Sequence, residues 1–202
     1  MTPRSAERHL AEGPAGPLEV VLNVPAAPRG LALIAHPHPQ QGGTLDNKVV
    51  QTLAKTFFAL DYVAVRFNFR GVGQSAGSFD DGRGETDDAQ AALAFAQARH
   101  PALDGKPVLA GFSFGSFVAT RLATRIEPQR LVLVAPAAGR FGAEPVPADT
   151  IVIHGEQDDV VPLADVFDWA RPQQLPVVVF PGCGHFFHGR LLQLQQVVTS
   201  LW

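Results

Sequence analysis

Five segments of the chain place chemically active side chains directly after an apolar run. His36 and His38 follow the run 30–35, as His36-Pro37-His38-Pro39. A glycine-rich loop with Ser75 follows 62–69, and Gly111-Phe112-Ser113-Phe114-Gly115 follows 107–110. His154 closes the run 150–154, Gly155 leads on to Asp158 and Asp159, and Gly182-Cys183-Gly184-His185 follows 176–180. A serine hydroxyl attacks at neutral pH only when a base removes its proton, and that base needs an acid to orient it. A serine, an aspartate and a histidine therefore stand after different apolar runs, in positions suited to nucleophilic catalysis.

The string GxSxG occurs twice, at 73–77 and 111–115, and alone it is a weak signal. Context separates the two copies. A nucleophile elbow is a sharp turn from strand directly into helix, flanked by glycine or small residues because side chains have no room there. Ser113 has an apolar run immediately before it and helix-forming residues immediately after. Ser75 lies in a loop with further glycines and no helix until about Glu85. Ser113 is therefore the candidate nucleophile. Its bland alternative is a helix N-cap, which would not require glycine on both sides.

His185, in the loop after the last apolar run, is the candidate base. His188 reads as the start of the closing helix, and His154 as a buried histidine bonded to backbone. The acid is Asp158 or Asp159; side chains of adjacent residues diverge, so only one can face His185. One oxyanion donor is expected at the backbone N–H of Phe114, where a helix begins. The second belongs to the loop after 30–35. Pro37 and Pro39 have no N–H, which leaves His38 or Gln40.

The elements that must hold these residues alternate. Strands are read at 18–24, 30–35, 62–69, 107–111, 130–135, 150–154 and 176–180. Helices are read at 45–60, 85–99, 116–126, 163–169 and 191–202. Short buried strands alternating with helices predict an α/β fold, with a mostly parallel sheet of about six to seven strands covered by helices on both faces. Residues 1–16, rich in Pro, Gly, Ala and charge, read as a flexible tail, and 17–202 as one domain. The short gap between 135 and 150 leaves no room for a cap domain.

The segments 36–48, 66–77, 111–115, 154–162 and 182–189 resemble the α/β-hydrolase superfamily, and within it the small cap-less bacterial hydrolases related to dienelactone hydrolase. The similarity runs from about Gly16 to the end of the chain, and the order Ser, Asp, His is that of the superfamily's triad. The resemblance assigns the acid to Asp158, the base to His185 and the second oxyanion donor to His38. Dienelactone hydrolases carry cysteine at the elbow. Serine here favours general esterase chemistry: cleavage of a carboxylic ester or thioester through an acyl-serine. The alternatives are acyl transfer or perhydrolysis on the same serine, and a non-catalytic interaction protein of the same fold.

Composition narrows the partners. The 202 residues carry a formal net charge of −3 and 17% charged side chains, with no basic excess to meet nucleic acid. The single cysteine cannot form an internal disulfide. No apolar run approaches a membrane span, and residues 1–10 lack the apolar stretch of a secretory signal, so a cytoplasmic protein with no membrane partner is expected. The expected partner is a small acyl substrate, the expected cofactor none, and the chain a monomer or homodimer. Gly71-Val72-Gly73-Gln74-Ser75-Ala76 matches a dinucleotide fingerprint, but no helix opens on its glycines. A metal site from His36, His38, Asp158 and His185 would have to overcome the constraint of two prolines, and no metal is expected. Phe112, Phe114, Phe186 and Phe187 read as core or acyl-pocket residues, Asn47 as a helix cap, and Asp80, Asp81, Glu85, Asp87 and Asp88 as a solvated run at a helix start.

Overall fold

The computed structural model describes residues 6–202. Its strands are β1 (Glu7–Gly13), β2 (Gly16–Asn23), β3 (Gly30–Ala35), β4 (Tyr62–Phe67), β5 (Val108–Phe112), β6 (Arg130–Val134), β7 (Ile151–Gly155) and β8 (Val177–Phe180). Its helices are α1 (Lys48–Ala59), α2 (Arg83–Arg99), α3 (Phe114–Ala123), the single-turn α4 (Ala138–Phe141), α5 (Leu163–Ala170) and α6 (Leu191–Leu201). The strands form one sheet in the order β1-β2-β4-β3-β5-β6-β7-β8. The pairs β1–β2 and β2–β4 are antiparallel, and the rest are parallel. This is the α/β-hydrolase fold.

Burial on both faces explains why the central strands are apolar throughout. In β3, Leu31, Leu33 and Ala35 enter the core shared with α2 and α3, while Ala32 and Ile34 enter the core shared with α1 and α6. Side chains alternate across a strand, so a strand covered on both sides needs an apolar residue at every position. Helix α1 starts where Asn47 accepts hydrogen bonds from the Val49 and Val50 N–H groups at 2.9 and 3.4 Å. It buries Val49, Val50, Leu53 and Phe57, the spacing of one helical stripe.

Topology places the site. From β3 the chain moves outward to β4, then crosses back to β5 on the other side of β3. The loops after β3 and β5 therefore part at a topological switch point, where open sheets bind ligands. In the parallel register Ala35 pairs with Gly111, so His36 to His38 leave the sheet beside Ser113. On the next strands Gly155 pairs with Phe180, which brings the loops carrying Asp158 and His185 together.

The sheet has eight strands where six to seven were expected. The addition is β1, inside the segment read as a flexible tail. It pairs along its length with β2 through a two-residue turn at Pro14 and Ala15, Gly13 facing Gly16. Glu7 to Gly13 is a charged edge strand that buries only Ala11, so it lacks the apolar alternation by which strands are read. The remainder of the expected tail, 1–5, lies outside the described residues. Between β6 and β7 only the four-residue α4 interrupts the loop, and no cap domain is present. No helix of the described residues is long and apolar enough to cross a membrane.

Candidate active site

Ser113 stands between β5 and α3 with φ 56° and ψ −118°, a conformation few non-glycine residues adopt. The neighbours enforce it. Its N–H donates to the Val134 carbonyl at 2.9 Å, and the Ser116 hydroxyl donates to the Gly111 carbonyl at 2.8 Å. A Cβ on Gly111 would fall on the backbone of Gly115, and one on Gly115 would fall on the Ala35 carbonyl. Both glycines of this GxSxG are thus required by close backbone approach. Ser113 occupies the N-cap position of α3, yet its side chain caps nothing. Its Oγ lies 3.1 Å from His185 Nε2 instead.

His185 Nδ1 lies 2.7 Å from Asp158 Oδ2. The other carboxylate oxygen accepts from the Val160 and Val161 N–H groups at 2.9 and 2.7 Å. Burial, the largest influence on Asp158, pushes its pKa up. The hydrogen bonds from His185 and Val161 and the nearby imidazoles outweigh it and hold the group below the usual carboxylate range. An ionised carboxylate only accepts, so Nδ1 of His185 carries a proton, and Nε2 is left to accept from the Ser113 hydroxyl. Of the adjacent aspartates, Asp158 is buried and faces His185, and Asp159 is exposed.

Phe114 opens α3, so its N–H has no carbonyl one turn back to take it. Across the site His38 follows β3 and starts the turn Pro39–Gln41. Its ring packs between Phe79, Phe114 and Phe141, with centroids 4.8, 5.0 and 5.8 Å away. The competing N–H of Gln40 points to His38 Nδ1 at 3.3 Å. Ser113, His38, Gln41 and Val160 line two small cavities together. One, about 60 Å³, is walled by Phe114, Ala137, Phe141, Val160 and Val161. The other, about 90 Å³, is walled by Pro37, Gly42, Gly43, Asn47, His185 and Phe186. Of the four phenylalanines singled out in the sequence, Phe114 and Phe186 reach these cavities. Phe112 lies beneath the His185 ring, 5.0 Å between centroids, and Phe187 packs against Phe180 in the core.

Two buried histidines support these loops. His36 accepts from the Phe69 N–H through Nε2 at 3.0 Å, so its Nδ1 donates to the Pro37 carbonyl at 2.7 Å. It ties the end of β3 to the loop after β4, and both ring nitrogens are occupied by backbone. His154 donates from Nε2 to the Val161 carbonyl at 2.9 Å and stands 3.4 Å from Asp158 Oδ2, behind the acid loop. Its structural role was legible from its place at a strand end; that of His36 was not.

The second GxSxG is structural. The Ser75 hydroxyl donates to the Asn68 carbonyl at 2.7 Å and accepts from the Glu19 N–H at 3.0 Å. Glu19 accepts from the Asn68 amide at 2.7 Å, from the Gln74 N–H at 3.0 Å and from Arg8 at 2.9 Å. The acidic run at 80–88 is also less solvated than expected. Glu85 is fully buried and accepts from the Gly82 N–H at 2.8 Å, and Asp88 holds Arg70 through both carboxylate oxygens at 3.0 and 2.9 Å. Sequence spacing does not reveal a buried acid whose cation lies on a distant loop.

A family model described as serine aminopeptidase, S33, matches residues 27–147. A crystal structure from Xanthomonas campestris, described as an α/β serine hydrolase without a lid, superposes with a TM-score of 0.91 at 39% identity, covering 100% of this chain and 95% of that one. A Coxiella burnetii protein described as an α/β serine hydrolase homologue gives 0.89 at 39% identity, over 96% of both chains. An uncharacterized protein of Rickettsia prowazekii is 32% identical over 205 residues, 93% of this chain and 85% of that protein.

Proposed function

The chain belongs to the α/β-hydrolase superfamily as an enzyme of the serine hydrolase kind, and on that premise we propose that it cleaves a carboxylic ester or thioester through an acyl-serine intermediate. The observation that carries the reading is the line Ser113 Oγ, His185, Asp158, at 3.1 and 2.7 Å. Ser113 Oγ attacks the carbonyl carbon while its proton passes to His185 Nε2. Asp158 keeps the Nδ1–H tautomer in place and stabilises the imidazolium that forms. The backbone N–H groups of Phe114 and His38 receive the negative charge on the carbonyl oxygen, helped by the N-terminal dipole of α3. His185 returns the proton to the departing alcohol or thiol oxygen or sulfur. Water, deprotonated by the same nitrogen, then releases the acid and restores the serine. No cofactor enters this sequence.

The matched family model is described by an aminopeptidase activity, and one observation favours esters over N-terminal peptides. An aminopeptidase must hold a substrate ammonium group, for which a carboxylate is the natural partner. Among the described residues, neither cavity beside Ser113 is lined by Asp or Glu. The reading is tested with a fluorophosphonate probe and mapping of the modified peptide. Label on Ser113, absent from Ser113→Ala and greatly slowed in His185→Ala, is the expected result. A folded protein that takes no label, or takes it on Ser75, refutes it.

A further inference from the structure

The two cavities that meet at Ser113 differ in one respect that bears on which half of a substrate each receives. Resting on the ester-hydrolase reading, we infer that the cavity under Phe141 is the acyl subsite and admits only short acyl groups, while the leaving group lies in the cleft beside His185. In the tetrahedral intermediate the attacked carbon carries the serine oxygen, the oxyanion, the acyl chain and the leaving group. His185 must protonate the leaving group, so that substituent has to point toward Nε2. His185 lines only the second cavity, together with Gly42, Gly43, Asn47 and Phe186. With the oxyanion on the Phe114 and His38 N–H groups, the acyl chain is left the cavity that His185 does not line, between Phe114, Ala137, Phe141 and Val161, while Gln41 and Val160 border both cavities. Apart from His38, Gln41 and Ser113 its lining is apolar, as an acyl chain requires.

Its size sets the substrate class. A volume of about 60 Å³ is well under half of the roughly 150 Å³ of an apolar cavity that holds benzene. One wall is Phe141 of α4, whose ring is held against Phe114 and Phe117 at centroid distances of 5.2 and 5.3 Å. The leaving-group side meets glycine at Gly42 and Gly43, and its outer edge carries the half-exposed Phe186. Esters of short-chain acids fit this pair of subsites, with the alcohol or thiol in the cavity of about 90 Å³. Esters of long-chain acids do not.

The test compares two substrate panels in the natural protein, Phe141→Ala and Phe141→Trp. The first panel varies the acid (p-nitrophenyl acetate, butyrate and octanoate), and the second varies the alcohol (methyl, phenyl and naphthyl acetate). In the natural protein kcat/KM should fall at least ~10-fold from butyrate to octanoate, the scale at which a pocket rejects added methylenes. Phe141→Ala should narrow that ratio by about 10-fold and Phe141→Trp should lower butyrate against acetate, while the alcohol panel shifts by less than about 3-fold in both. Each readout is a ratio within one preparation, so partial loss of folded enzyme cancels. Acyl profiles that coincide in all three proteins overturn the inference, as does a change confined to the alcohol panel, which would exchange the two subsites. In either case fluorophosphonate labelling of Ser113 would persist. A protein inert to both panels and to the probe would instead overturn the ester-hydrolase reading, and the subsites with it.

Discussion

His36 makes the stability of this fold sensitive to mild acid, by an amount that follows from its surroundings. The ring is fully buried, and burial, only partly opposed by the bond to the Pro37 carbonyl, pushes its pKa down to about 3. Protonation would also place a second N–H against the Phe69 N–H, which now donates to Nε2. An unfolded chain takes up this proton below about 6.5. The native chain takes it up only below about 3. Between those values the unfolded state binds more protons, so native stability falls as the pH falls. From pH 7.5 to 5.0 the single site removes about 2 kcal/mol, at ~1.4 kcal/mol per pH unit below 6.5. For a urea slope of about 2 kcal/mol per molar, the unfolding midpoint drops by roughly 1 M. His36→Gln keeps an amide oxygen that can face Phe69 and does not titrate. Urea unfolding of both proteins at the two pH values isolates the effect, because other titrating groups, His154 among them, cancel in the difference. The natural protein should lose about 2 kcal/mol more than His36→Gln over this range. Equal losses in the two proteins would refute the linkage of His36 burial to acid sensitivity.

Two further pairs of substitutions probe the site and its scaffold. Asp158→Asn keeps an oxygen for the Val160 and Val161 N–H groups but turns an N–H donor toward His185 Nδ1, which favours the tautomer whose Nε2 cannot take the serine proton. Ester turnover should fall by about 10⁴-fold, or ~5 kcal/mol of barrier, the scale seen when the acid of a serine protease triad becomes asparagine; Asp159→Asn, at the exposed neighbour, should stay within about 2-fold in the same steady-state assay. Ser75→Ala leaves the Glu19 N–H and the Asn68 carbonyl without their buried partner and should cost about 2–3 kcal/mol in denaturant unfolding. In that variant kcat should change little, whereas Ser113→Ala should abolish turnover with a much smaller change in stability.

How legible each part was depended on whether its cause lies nearby in the chain. Strand β3 is recognisable because burial on both faces demands an unbroken apolar run, and GLALIA supplies one. Helix α1 is recognisable from its apolar stripe and from Asn47 in front of it. Strand β1 is held by pairing with β2 and buries only Ala11, so nothing in its own residues marks it. Asp158, His185 and Ser113 each sit in a short segment whose neighbours announce a turn after a strand. Phe141 sits in a stretch without apolar period, and its place in the acyl wall comes from packing on Phe114 and Phe117, on another helix. The buried acid Asp88 reads as solvated for the same reason, since Arg70 meets it only in the fold.

The two GxSxG segments show how one string serves two ends. At Gly73-Gln74-Ser75-Ala76-Gly77 the glycines supply positive φ to a loop folded over Glu19, with φ 57° at Gly73 and 90° at Gly77. The serine itself is spent on two backbone groups. At Gly111-Phe112-Ser113-Phe114-Gly115 the glycines make room for backbone, and the positive φ falls on the serine. Holding a serine there costs on the order of 1–3 kcal/mol, which the surrounding sheet and helix must supply. In return the hydroxyl is withheld from the helix it would otherwise cap and is aimed at a histidine. A serine that satisfied its nearest backbone neighbours, as Ser75 does, would be more stable and unavailable for attack. The strain at Ser113, on a frame whose other polar groups are so largely paired, therefore points to the elbow as the place where stability is given up for reactivity.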